Sequence, residues 1–457
     1  MHSPQLPPGS FGLPIIGETL SLLLDPQFIE KRYKQYGPIF KSHILGRPTV
    51  YMIGPEAVEF VLSSHMDHFS WREGWPNNFK ELLGESLFLQ DGEEHRQKRR
   101  LMMPAFHGPA LAGYITTMES ITQDYLQKWE QKQEFGWFEE FKQLTFDIAS
   151  QLLVGASPGS EVVRLSRLFT TLTNGLFAIN PLPLPITKYG RAIAARDQLL
   201  QHITQVVHQR QQHPTNDALS MLVQARDEEG NGMSLKELTA QAMLLLFAGH
   251  ETTTAMLTWF CLELGRHPEV LQKAREEQLS LASQGGLSLE QLGKMPYLEQ
   301  IFSEIERLHP PVGGGFRGVI KPFEFNGFQV PAGWMLSYSI PATHQLASIY
   351  PEPKRFDPER FSPERQEHKQ KPYSLIGFGG GPRVCIGIAF AKLEMKIIAA
   401  QLLRGYQWEL LPEQNLEPVL FPMRSPKDGL RVRFEKIRPS LKVGSRESGV
   451  GSRESGK

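Results

Sequence analysis

Cysteine is scarce in this 457-residue chain, which contains only Cys261 and Cys385. Cys385 stands in Phe378-Gly-Gly-Gly-Pro-Arg-Val-Cys385-Ile-Gly387, directly before a helical run at about 387–404. A cysteine close to a helix N-terminus meets free N–H groups and the positive end of the helix dipole, which favour the thiolate. A thiolate held this way can serve as an axial iron ligand that promotes O–O cleavage. The three glycines lack a Cβ, so a flat ligand can approach the backbone closely. The bland alternative is a glycine turn carrying an inert cysteine. A dinucleotide loop is excluded, because the Gly-x-Gly-x-x-Gly spacing fails at Pro382. Cys261 has the context of a small core residue.

Three further clusters carry chemistry. Ala248-Gly249-His-Glu251-Thr252-Thr253 places an acid beside an alcohol in an apolar stretch. Thr252 is expected to bond back to the Ala248 carbonyl and loosen the helix, while Gly249 leaves space over a ligand face. His250 is expected to face away. In Glu304-Ile-Glu306-Arg307, Glu304 and Arg307 share one helix face and can form a charge pair. His95-Arg-Gln-Lys-Arg99 is a basic helix turn, with Arg96, Lys98 and Arg100 read as its solvated side.

Together these motifs make the chain resemble the cytochrome P450 family of haem-thiolate monooxygenases, and the likeness spans nearly the whole sequence. The resemblance implies that Cys385 ligates the iron of haem b. It gives Glu251 and Thr252 the delivery of protons for dioxygen reduction, through general acid chemistry and ordered water. It pairs Glu304 and Arg307 with Arg360 of Phe356-Asp-Pro-Glu-Arg360-Phe361 in a structural triad that locks the cysteine loop. It assigns His95, Arg99, Arg317 and Arg383 to the haem propionates, and sets Ala248, Gly249 and Phe378 against the cofactor. Many family members carry tryptophan where His95 stands. Separate ferredoxin-like and reductase partners are implied, docking on the cysteine side.

The elements that must position these groups are mainly helices with small β-sheets. The helix predicted at about 235–266 opens on a capping box, Ser234-Leu-Lys-Glu237, and stops before Pro268. Haem is expected between it and the loop at 378–387. A Pro/Gly-rich lead-in at 4–17 precedes the first regular structure, and β-like stretches lie at 48–53 and 429–434. One domain over 1–443 is expected. The duplicated Gly-Ser-Arg-Glu-Ser-Gly at 444–449 and 451–456 reads as an appended flexible tail. The balanced charge, 49 basic against 49 acidic residues, points away from nucleic acid. No apolar run approaches the ~20 residues of a membrane anchor. A soluble, cytoplasmic protein is expected.

The stretch Pro310-Pro-Val-Gly-Gly-Gly-Phe-Arg317 with Phe323–Trp334 is similar to the branch of the family that hydroxylates retinoic acid and related isoprenoids. The reading is therefore hydroxylation of an apolar, lipid-like substrate with dioxygen and two electrons. Candidate pocket walls are Phe69, Trp71, Trp75, Phe177, Phe247, Val312, Gly313, Gly314, Phe421 and Met423. Gly313–Gly315 would leave room for a long, narrow molecule. Two rivals are a peroxide-using or isomerising haem-thiolate enzyme and a non-catalytic haem or lipid carrier.

Overall fold

The computed structural model describes residues 5–437 except 15, 177, 179–181, 283–285 and 420–422. The predicted tail at 444–457 lies outside the described residues. The body is mostly helical, with small sheets at its edge. None of its described helices is long and apolar enough to cross a membrane.

The central helix, Leu235–Arg266, has the predicted boundaries. Its capping box forms: Glu237 N–H donates to Ser234 Oγ at 3.3 Å, and Ser234 N–H donates to Glu237 Oε2 at 2.7 Å. From Leu238 to Phe247 every residue is buried, as an all-round apolar helix requires. It packs on the helix Trp137–Val154, where Thr145 Oγ1 lies 2.8 Å from Thr254 Oγ1. The cysteine helix, Ile388–Gly405, lies on the other side. It meets the helix Pro109–Lys132 through Phe390 and Tyr114, whose ring centroids are 5.8 Å apart.

The main sheet runs in the order Ile39–Ile44, Arg47–Met52, Met335–Ser339, Gly314–Val319, Phe69–Ser70. Thr49 pairs in parallel with Met335, while Gly314 faces Ser339 antiparallel. This register brings residue 317, distant in sequence, beside the segment after Phe69. The Pro-rich lead-in docks on the sheet: Lys41 N–H donates to Pro8 O at 2.7 Å. A three-stranded sheet joins Glu134–Gly136, Arg431–Lys436 and Tyr406–Leu410. It backs the aromatic cluster in which Trp137 stacks on Phe141 at 4.5 Å.

Candidate active site

The cysteine loop closes on itself: Cys385 N–H donates to Phe378 O at 2.8 Å. Gly387 caps the cysteine helix, which places Cys385 just before the first turn. The thiol retains accessible surface, yet surrounding protein strips it of water. Both are true of a side chain opening into an internal cleft. Burial pushes the thiol up, with a backbone hydrogen bond from Gly387 and the Arg99 charge pulling it down. The helix start alone therefore does not win, and a bound cation is what makes a thiolate favourable here.

The glycines before it serve a different purpose from the one expected. Gly379 and Gly381 have φ of +77° and +58°. A Cβ on Gly381 would sit 2.4 Å from Leu62 O, and one on Gly380 would sit 2.7 Å from the Tyr373 ring. Turn geometry and protein packing, rather than ligand approach alone, require glycine at both positions. Gly249 has a packing role as well. Its missing Cβ would meet Leu153 Cδ1 at 3.0 Å, so it allows the central helix to approach its neighbour.

On the central helix, Thr252 Oγ1 donates to Ala248 O at 2.9 Å, as predicted. Ala248, Gly249 and Thr252 are the residues of this stretch that keep accessible surface. Glu251 is buried, and burial raises its carboxyl while Lys142, 3.8 Å away, opposes this. Its Oε2 has no hydrogen-bond partner. His250 turns away as expected: it packs edge-on against Phe146 and its Nδ1 lies 2.6 Å from Leu246 O. Burial lowers it to about 4, so it is neutral near pH 7.

A cation cluster gathers around Trp71. The Arg317 guanidinium sits 3.1 Å from the Trp71 ring centroid and that of Arg383 sits 4.4 Å from the same centroid. Burial pushes both guanidinium groups down. Both stay charged, because an arginine starts so high. Arg317 Nη1 donates to Phe316 O at 2.7 Å, but its Nη2 has no partner, and neither has Trp71 Nε1. His95 is buried beside Arg383 and Arg99; burial, then these two charges, lower it to about 3. It is a neutral ring. Lys98 departs from its predicted solvated role. It is buried and paired with Glu237 of the capping box, whereas Arg96 and Arg100 are exposed.

The triad holds the loop through residues the sequence reading did not single out. Arg307 grips Glu304 with two hydrogen bonds of 2.6 and 2.7 Å, and both side chains are completely buried. Arg360 Nε lies 3.4 Å from Glu304, but Nη1 of Arg360 donates to Glu367 at 2.9 Å. His344 bridges outward, with Nδ1 3.2 Å from Arg307 O and Nε2 accepting from Ile376 N–H at 2.8 Å. Those partners fix the neutral tautomer with the proton on Nδ1. Glu306 accepts the Gly377 and Phe378 N–H groups, and burial raises its carboxyl to about 7. Only the chain contacts of the folded protein reveal these two anchors; their local sequence carries no signal.

Glu394 is also new. It is wholly buried on the cysteine helix, and burial drives its carboxyl well above the usual range. The Thr253 hydroxyl beside it pulls the other way without overcoming burial. The folded carboxyl therefore stays protonated after the unfolded one, near pH ~4.3, has ionised. Stability then falls as pH rises above that value. Glu394→Gln is expected to match the parent at pH 4 and to be more stable than it at pH 8, read from urea midpoints.

The apolar candidates separate into groups. Phe69 packs on Phe323 at 5.3 Å and belongs to the core under the sheet, not to a pocket. Trp71 serves the arginines. Trp75 stacks on Phe79 at 4.7 Å and meets Phe316 edge-on at 5.6 Å. Phe247 is buried on the central helix. Gly313 has open space where a Cβ would stand, but a Cβ at Gly314 would lie 2.1 Å from Tyr338 O, and one at Gly315 would lie 2.6 Å from the Tyr338 hydroxyl. Of the three glycines, only Gly313 leaves the expected room. Arg424 N–H donates to Pro311 O, which sets the half-buried Met423 near Val312. Phe177 and Phe421 lie outside the described residues.

The fold thus presents an accessible thiol, an acid–alcohol pair on the central helix and a buried cation cluster. The family model "Cytochrome P450" matches residues 7–432. The chain belongs to the cytochrome P450 family. It is 42% identical over 440 residues to the putative cytochrome P450 120 of Synechocystis, covering 96% of this chain and 98% of that one. It is 34% identical to human cytochrome P450 26B1 over 445 residues, 94% of this chain and 86% of the relative. Among solved structures it superposes on retinoic acid-bound cyanobacterial CYP120A1 with a TM-score of 0.88 at 42% identity, covering 95% of this chain and all of that one. This cytochrome P450 is a haem monooxygenase whose cofactor is haem b. The residues present fit that group: a thiol stands on one side, and unpaired donors on Arg317 and Trp71 suit its carboxylates.

Proposed function

We propose that this enzyme hydroxylates a C–H bond of retinoic acid or a closely related retinoid, using dioxygen and electrons from separate ferredoxin and reductase proteins. The observation carrying this reading is the end-to-end likeness, at 42% identity, to a structure with retinoic acid bound. The apolar residues Trp75, Phe79, Phe247 and Phe316 suit such a ligand.

Haem, when bound, supplies dioxygen activation and the oxidation of the C–H bond. Cys385 Sγ is its ligand, held in register by the Phe378 carbonyl and, behind that, by Glu306 and His344. His95, Arg99, Arg317 and Arg383 hold its carboxylates. Burial shifts Glu251 toward its neutral form, against the pull of Lys142, which suits it to pass on a proton. Thr252, tethered to Ala248 O, leaves its oxygen lone pairs free to position a proton-bearing water. Thr252→Ala is expected to lower product formation by roughly 10²-fold, the weaker end of general acid effects. Electron consumption continues in that variant, so the ratio of product to electrons consumed is the measurement.

The experiment for the substrate is a spectral titration of the haem-loaded enzyme with all-trans retinoic acid and, in parallel, with long-chain fatty acids. The expected result is a high-spin shift with the retinoid, and a product heavier by one oxygen when ferredoxin and reductase are supplied. Shift and product with fatty acids but neither with retinoids would refute the retinoid assignment. Product with peroxide but none with electron carriers would favour a peroxide-using enzyme.

A further inference from the structure

Asp91 stands at the start of the helix Gly92–Met102, outside every motif that carries the chemistry. It is the meeting point of the cation cluster. Its Oδ1 accepts Trp71 N–H at 2.7 Å and Arg383 Nη2 at 3.1 Å. Its Oδ2 accepts Ser70 Oγ at 2.5 Å and Arg72 N–H at 3.4 Å. One carboxylate therefore fixes the backbone that carries the Trp71 indole and one of the two guanidinium groups that lie on it. The neighbouring Gln90 carbonyl also accepts from Arg383 Nη2, so both protein hydrogen bonds of Arg383 use the same nitrogen.

The geometry has an energetic reason. Arg317, Arg383 and Arg99 are like charges partly stripped of water, and the Arg317 and Arg99 charges lower the tendency of Arg383 to hold its proton. Gathering them without a counter-charge is costly. Asp91 favours the charged form of both Arg317 and Arg383. Yet it engages only one edge of Arg383 and leaves Nη2 of Arg317 unpaired. It neutralises the cluster enough to assemble it and leaves donors for a second anion.

We propose that Asp91 is a positioning residue for the haem carboxylates: it builds the Arg317–Trp71–Arg383 stack before the cofactor arrives. This rests on the reading that Arg317 and Arg383 hold those carboxylates. Outer partners that orient the groups contacting a cofactor typically change affinity by ~10–100-fold when removed.

The test measures haem release from the holoenzyme into excess apomyoglobin, for the parent and for Asp91→Ala, Asp91→Asn and Arg383→Ala. Each is loaded with haem or with its dimethyl ester, which lacks carboxylate charge. With haem, Asp91→Ala is expected to release about 10-fold faster or more. Asp91→Asn, which keeps an acceptor oxygen but no charge, is expected to fall between. With the ester, Asp91→Ala and the parent are expected to release at the same rate, because the stack then has no anion to hold. An acceleration equal for haem and ester would mean that Asp91 only supports the fold, and the proposal fails. So would Asp91→Ala and Asp91→Asn rates within twofold of the parent while Arg383→Ala accelerates release; the carboxylate reading then stands without Asp91. No effect from Arg383→Ala either would remove the carboxylate reading itself. If Asp91→Ala does not accumulate as holoenzyme, the isosteric Asp91→Asn decides by the same haem-to-ester comparison.

Discussion

Cys385→Ser is expected to abolish both turnover and the red-shifted Soret band of the reduced carbonyl adduct. The chain itself should still fold, because the Cys385 side chain opens into the cleft and only its backbone N–H closes the loop on Phe378. Serine keeps that N–H and fits the same space. It does not supply a soft, electron-rich ligand, and its alcohol is far harder to deprotonate than a thiol. The thiol in this site is already pushed up by burial, so the ligand bond is what holds it as thiolate. Near-parental thermal unfolding together with a lost band is the expected pair of results. An unchanged carbonyl spectrum in Cys385→Ser would show that the sulfur at 385 is not the ligand.

The second large effect is on stability. Arg307→Leu leaves Glu304 completely buried with its two strongest hydrogen bonds gone, and also frees the Pro353, His344 and Arg355 carbonyls. Breaking a buried pair from one side costs about 3–5 kcal/mol. A folded domain has only about 5–15 kcal/mol in total. The variant is therefore expected to lose a large share of its stability, with a clearly lowered urea midpoint and less haem per chain. Arg307→Lys should not rescue it. An ammonium group cannot grip Glu304 with two parallel bonds while reaching three carbonyls. Urea midpoints and haem content per chain are the measurements. A parental midpoint for Arg307→Lys would refute the account.

The same triad shows how far sequence reading reached. Glu304 and Arg307 are three residues apart on one helix, so their pairing is a matter of local geometry. Their link to the cysteine loop is not local. It passes through His344 and Glu306 to Ile376, Gly377 and Phe378, across segments joined only by folding. Asp91 was missed for the same reason: its partner Arg383 lies almost 300 residues away in the chain. Glu394 gives no warning in sequence, since a glutamate on a helix is most often solvated.

Some residues were right and their reasons wrong. Gly314 and Gly380 were read as room for a ligand, but each one's absent Cβ would strike protein first. Lys98 was read as a solvated charge and is buried against Glu237. Phe69 was read as a pocket wall and is core beneath the sheet. A residue type limits what a side chain can do. Its neighbours decide what it does.

By itself the sequence determined what is written in short spacings: the cysteine loop and its helix, the capping box of the central helix, the Thr252–Ala248 hydrogen bond and the Glu304–Arg307 grip. Helix geometry and backbone hydrogen bonding act over a few residues, so such patterns suffice. The tertiary structure alone decided which distant groups stand together. It chose the single indole that two arginines share, the carboxylate that anchors them and the histidine that ties the triad to the loop. Burial and charge neutralisation depend on three-dimensional neighbours, and no spacing along the chain encodes those.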